Sequence, residues 1–253
     1  MSKWFPEMYD RPDNGPVAAS AVYWVICYFM IPFVTLILSW AFSYDLSAVI
    51  GVDIGTYCLN FLCIISLFRE YLSYSYENAL FNKTCFVKAV LIAVVLTLLM
   101  EGGFLYYGTM RGWDGALSSY PISETSVVAS TSAVVITNPL FGTLCMAVLA
   151  PVTVSCMFYA TVFAPIANNR PKLAYIITAL LLLLPRLLSS WWLQMGTYDL
   201  TIYLLQLPVH IINCWSYLKS NSSWAPILSL SITNLLICLF LWFMSTQGLV
   251  YVK

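Results

Sequence analysis

The chain has 253 residues, 61% of them hydrophobic and only 9% charged, against the ~25% charged expected of a soluble globular domain. That composition excludes a water-soluble protein. Eleven Lys+Arg balance eleven Asp+Glu, which removes the basic footprint that nucleic-acid binding requires, and the high apolar content excludes disorder.

A bilayer crossing consumes ~20 apolar residues, so little of the chain remains for loops. Residues 1–253 read as a single transmembrane domain, and any site must be built from the spans themselves. The opening segment, 1–17, carries Lys3 and Arg11 but also three prolines and three acids, unlike the basic start of a signal peptide. It reads as a cytoplasmic N-terminal segment.

About seven apolar stretches follow, at roughly 18–42, 48–68, 86–108, 140–164, 173–193, 198–217 and 225–245. No alternating strand pattern is visible, and backbone groups in hydrocarbon must be satisfied within the segment, so all are expected to be helices. The predicted fold is all-α: a polytopic helical membrane protein with about seven transmembrane helices in one bundle. The polar interval 109–139 is expected as an exterior loop.

With the N-terminus in the cytoplasm, Lys3, Arg11, Arg69, Lys83, Lys88, Arg170, Lys172 and Lys219 fall on the inner side, and only Arg111 and Lys253 on the outer. That bias follows the positive-inside rule and puts the C-terminus outside. Trp24, Trp40, Trp191, Trp192, Trp215, Trp224 and Trp242 lie in or near span ends, where an indole can keep its N–H in the headgroup layer. The cysteines lie within or beside apolar spans without a C-x-x-C pair, which marks them as packing residues.

Ionisable groups inside a bilayer are costly, so Glu101, Arg186 and His210 are the default functional candidates. Glu101 precedes Gly102 and Gly103, small residues that would let a neighbouring helix or a wet pocket approach. Pro185 interrupts backbone bonding just before Arg186, so a kink and a cation coincide. His210, the only histidine, has no second ligand nearby and reads as a packed, hydrogen-bonded side chain rather than a metal ligand. There is no G-x-S-x-G, phosphate-binding P-loop, H-E-x-x-H or paired carboxylates, so the usual hydrolase and phosphoryl-transfer readings lack their parts.

The run NPLFGTLCMAVLAPVTVSCMFYATVF, residues 138–163, resembles the fourth helix of the CPBP family, intramembrane metalloproteases related to the CAAX prenyl endopeptidases and bacteriocin-immunity proteins. Asn138-Pro139-Leu140, Ala150-Pro151-Val152 and Phe158 match that family's framing residues. Its two glutamates fall on Val154 and Ser155, and its arginine on Tyr159. The next helix, RPKLAYIITALLLLLPR, places Leu182 at the family's phenylalanine and Arg186 at its histidine. In WSYLKSNSSWAPILSLSITN, Trp224 to Leu228 match, Leu230 replaces a second histidine and Asn234 keeps the asparagine.

The resemblance spans residues 138–240, a CPBP-like core. In an active member the lost residues would polarise a metal-bound water. The resemblance therefore implies a degenerate, non-proteolytic member with no metal and no cofactor. The candidate cavity-lining residues are Glu101, Ser155, Tyr159, Arg186, His210 and Asn234, and the resemblance implies that Tyr159, Arg186 and Asn234 face one another.

The function expected is non-catalytic: a pseudoprotease that binds a hydrophobic peptide, a lipidated segment or a partner membrane helix, in immunity or regulation. Its surroundings would be membrane lipids, in a bacterial plasma membrane. Two alternatives stand beside it: a membrane permease subunit of a transporter, and an intramembrane protease with a rebuilt active site.

Overall fold

The computed structural model describes residues 46–110, 138–167, 170–192 and 207–247, with the backbone alone at 46–53, 56, 57, 60, 104–110 and 182–192. The expected span at 18–42, the segment 1–17, residues 111–137 of the expected loop and residues 198–206 of the expected span at 198–217 lie outside the described residues. Among the described residues the protein is all-helical, without a strand.

Six helices are described: α1 (Leu46–Phe81), α2 (Lys83–Met110), α3 (Pro139–Ala167), α4 (Pro171–Trp192), α5 (Leu207–Ser220) and α6 (Trp224–Thr246). Among the described residues three stretches are long and apolar enough to cross a membrane: Lys83–Gly103 within α2, all of α3 and all of α6. The chain is a helical membrane protein. Rows of exposed apolar side chains, such as Leu91, Val95 and Leu99 on α2 or Leu228, Ile232 and Leu239 on α6, have no place in water and fit a hydrocarbon solvent.

α1 departs from expectation. Its apolar part was predicted to stop near residue 68, yet the helix runs 36 residues to Phe81, about 54 Å at 1.5 Å per residue, which exceeds the ~30 Å hydrocarbon core. The extension is helical because an inward stripe continues through it: Ile64, Phe68, Leu72, Ser75 and Ala79 are buried, while Arg69, Glu70, Tyr74 and Glu77 are exposed. A hydropathy window reads the mean of a segment and misses such a one-sided pattern. Asn82 alone separates α1 from α2, its carbonyl accepting from the Phe86 N–H at 2.9 Å.

A cluster of serines fastens this extension to the bundle. Ser75 Oγ lies 2.8 Å from Ser223 Oγ and 3.0 Å from Ser222 Oγ, and it accepts the Ser223 N–H at 2.8 Å. Ser222 Oγ donates to the Ser75 carbonyl at 2.8 Å. Trp224 Nε1 donates to the Leu72 carbonyl at 2.9 Å, so this indole N–H is spent on backbone rather than on a headgroup. Asn221, with φ of 59°, reverses the chain between α5 and α6 in the left-handed conformation that asparagine tolerates. Replacing Ser75 by alanine is expected to lower stability by about 1–2 kcal/mol, read by unfolding in detergent. An unchanged unfolding midpoint would show that the cluster does not hold α1.

Gly102 and Gly103, expected to admit a neighbouring helix or a wet pocket, have no neighbour among the described residues. Both are exposed, and a Cβ built on either meets nothing within 4 Å. Ala89 and Ala93, both buried, are the small residues on the inward face of α2, where Val90 and Val94 pack against Ala225 of α6. α2 is helical to Met110 and α3 begins at Pro139, so the ends of the expected loop belong to helices. α4 continues through Pro185 to Trp192, so the proline does not end the helix.

α3 is the innermost of the described helices; every residue from Ala150 to Ala160 is buried. It contains two wide π-helical stretches, Cys145–Leu149 and Ser155–Phe163. Each precedes a proline, Pro151 and Pro165, whose ring crowds the carbonyl one turn back and whose nitrogen has no hydrogen to donate. The backbone widens to i→i+5 bonding to accommodate them, as in the bond from the Ala150 N–H to the Cys145 carbonyl.

Candidate functional site

His210 lies on α5 with no solvent exposure, and side chains from α3 and α5 enclose its ring. Tyr159 stacks on it with centroids 5.2 Å apart and planes inclined by 30°, while Phe158 meets it edge-on at 6.4 Å. Tyr159 Oη is 3.2 Å from His210 Nδ1. One turn along α5, Cys214 Sγ is 3.7 Å from Nε2. Both ring nitrogens therefore have polar neighbours, as a buried imidazole requires.

Adjacent residues on a regular helix point about 100° apart, so Phe158 and Tyr159 would not ordinarily reach one ring together. Both lie in the wide Ser155–Phe163 stretch, which alters that spacing. Ser155, one turn before Tyr159, is fully buried, and its hydroxyl has no hydrogen-bond partner among the described residues.

Asn234 has a separate task. Asn234 Nδ2 donates to the Met146 carbonyl at 2.9 Å. The reason lies in the backbone of α3. In the i→i+5 register that joins Ala150 to Cys145, the next donor along the chain would serve Met146, and that residue is Pro151. Proline has no N–H, so the Met146 carbonyl is left for a side chain from α6. Pro151 and Asn234 are thus halves of one arrangement that spacing alone did not reveal.

The other candidates are placed as follows. Glu101 is 8% exposed and extends the buried row Ala89, Ala93 and Thr97 of α2. Arg186 lies on α4, its side chain outside the described residues. Tyr159 and Asn234, expected to face one another, have different partners, His210 and Met146. Val154 and Leu230 are buried in the main apolar core. Among the described residues no three His, Cys, Asp or Glu side chains are grouped to hold a metal ion.

Several interior residues carried no signal in the sequence. Asn213 accepts from Ser229 Oγ through Oδ1 at 2.6 Å, joining α5 to α6, and the Tyr71 and Tyr217 hydroxyls meet at 2.9 Å. Polar residues at helical spacing within apolar runs hinted at inward faces, but not at which residues would pair. No protein-family model, curated protein or solved structure matches the chain.

Proposed function

We propose that the protein is a non-catalytic, pseudoprotease-like membrane protein that binds a hydrophobic peptide, a lipidated segment or a partner membrane helix, on a degenerate CPBP-like framework. One observation carries the reading. Where the resembled family places catalytic groups, Val154, Ser155 and Leu230 are buried in packed hydrocarbon, and the Tyr159 and Asn234 side chains beside them bond to the protein's own groups. An interior arranged in this way supports a shape, not a reaction. Binding then falls to the apolar outer faces, of which Leu228, Ile232, Leu236 and Phe243 on α6 form one row. The arrangement in the membrane that goes with this reading is about seven spans in a bacterial plasma membrane, with the N-terminus cytoplasmic and the C-terminus exterior.

The extension of α1 is the feature that favours a second reading, a transporter permease subunit, because such a subunit needs a helix standing beyond the bilayer to engage its ATPase. One experiment separates the possibilities. With the full chain in lipid nanodiscs, a farnesylated fluorescent peptide is expected to bind saturably and remain intact, with or without added zinc. Cleavage of the peptide would establish the rebuilt-protease reading, and absence of saturable binding would overturn the proposal. ATP-driven movement of the same peptide across liposomes, once a partner ATPase is supplied, would establish the permease.

A further inference from the structure

The inward face of α2 carries two polar side chains one turn apart. Val90, Val94, Thr97 and Glu101 follow the three- and four-residue spacing of a single helix stripe, and all are buried. Thr97 and Glu101 therefore point the same way, into the bundle. The other buried threonines among the described residues, Thr153, Thr178 and Thr233, donate to the carbonyl four residues back at 2.9, 2.7 and 2.8 Å. Thr97 does not. The residue is 1% exposed, and its hydroxyl has no hydrogen-bond partner among the described residues.

α6 supplies the facing oxygens. Val90 and Val94 pack against Ala225, the second residue of α6, and both helices run away from the end where Cys85 of α2 meets Lys219 of α5. They are parallel, so heights along them can be compared. At 1.5 Å per residue, Thr97 and Glu101 stand about 4.5 and about 10.5 Å beyond Val94, while Ser229 and Thr233 stand about 6 and about 12 Å beyond Ala225. Ser229 and Thr233 continue the stripe of Ala225 and are buried as well. Ser229 Oγ donates to Asn213 Oδ1 of α5 at 2.6 Å, and Thr233 Oγ1 to the Ser229 carbonyl at 2.8 Å. With those protons spent, each hydroxyl oxygen has only lone pairs left to offer.

Acceptor oxygens gathered beside a carboxylate are matched by a cation. Whatever Glu101 already bonds, its carboxylate has about four lone-pair sites, and it carries the formal charge of this seam among the described residues. We infer that Thr97, Glu101, Ser229 and Thr233 form a binding site for a monovalent metal cation of the sodium type, between α2 and α6. Hard oxygen donors select a hard cation, and one carboxylate is neutralised by one positive charge. A calcium ion would leave net charge in hydrocarbon and takes roughly six to eight oxygens. The inference rests on helix packing in a membrane protein, not on the peptide-binding proposal.

The test uses the full chain in lipid nanodiscs and reads the unfolding midpoint in sodium chloride against choline chloride at equal ionic strength. Retention of radioactive sodium is measured in parallel. Sodium is expected to raise the midpoint saturably where choline does not, and to be retained stoichiometrically. E101Q should abolish both effects and unfold in choline no earlier than wild type, since a neutral amide needs no counter-ion. T97V should raise the half-saturating sodium concentration about fivefold, whereas T97S, which keeps the hydroxyl, should stay close to wild type. That pair decides the matter even if E101Q does not fold.

Equal midpoints in sodium and choline with no sodium retained would overturn the inference, and so would a sodium effect unchanged in E101Q or in T97V. A midpoint that rises as pH falls but ignores sodium would assign a proton to Glu101, and stronger stabilisation by calcium would assign a divalent ion; either result overturns the monovalent site. A failure of farnesyl-peptide binding leaves all these readouts unaffected.

Discussion

Replacing Asn234 by leucine is expected to destabilise the protein by about 1–3 kcal/mol, the cost of stranding a buried carbonyl. The carbonyl is that of Met146, which the Asn234 amide serves at 2.9 Å because Pro151 offers no hydrogen at the position where the widened helix needs one. Aspartate should fare no better, since an ionised carboxylate accepts but does not donate. The sharper result comes from P151A. An alanine N–H restores a donor for the helix, whether it keeps the wide register or reverts to the ordinary one. In that background N234L should cost much less than in wild type, and the double-mutant cycle should return a coupling of about 1 kcal/mol or more. Equal costs in both backgrounds, measured by unfolding in detergent micelles, would show that the proline and the asparagine are independent.

H210A is expected to be the most damaging single change, at about 2–5 kcal/mol, in the range of large-to-small changes in a packed core. It empties the space between Tyr159 and Phe158 and takes from the Tyr159 hydroxyl its Nδ1 partner. H210F fills most of that volume but leaves the hydroxyl without the partner, so it should lie between alanine and wild type. Combining it with Y159F removes both polar ends and should recover stability relative to H210F alone, since replacing both members of a buried pair costs less than removing one. An H210A protein that unfolds at the wild-type midpoint would mean that the ring is not packed as described.

The class and three of the seven span positions were legible in the sequence because they depend on local composition. A 9% charged, 61% hydrophobic chain has nowhere to fold but a bilayer, and the stretches read at roughly 86–108, 140–164 and 225–245 correspond to Lys83–Gly103, Pro139–Ala167 and Trp224–Thr246. Hydropathy averages over neighbours in the chain, and those neighbours decide whether a segment can enter hydrocarbon. The same averaging hid the extension of α1, whose inward stripe is set against a polar outer face.

What only the tertiary structure decided is which polar groups meet. Tyr159 and His210 are 51 residues apart in the chain, Asn234 and Met146 are 88, and Ser75 lies 148 from Ser223. Each pairing depends on which helices are adjacent and on their relative height. Glu101, His210 and Asn234 stood out in the sequence as costly or framing residues, but their partners did not. A buried polar group must find a partner, and in a bundle of helices that partner is supplied across the interface by packing geometry, which no local pattern encodes.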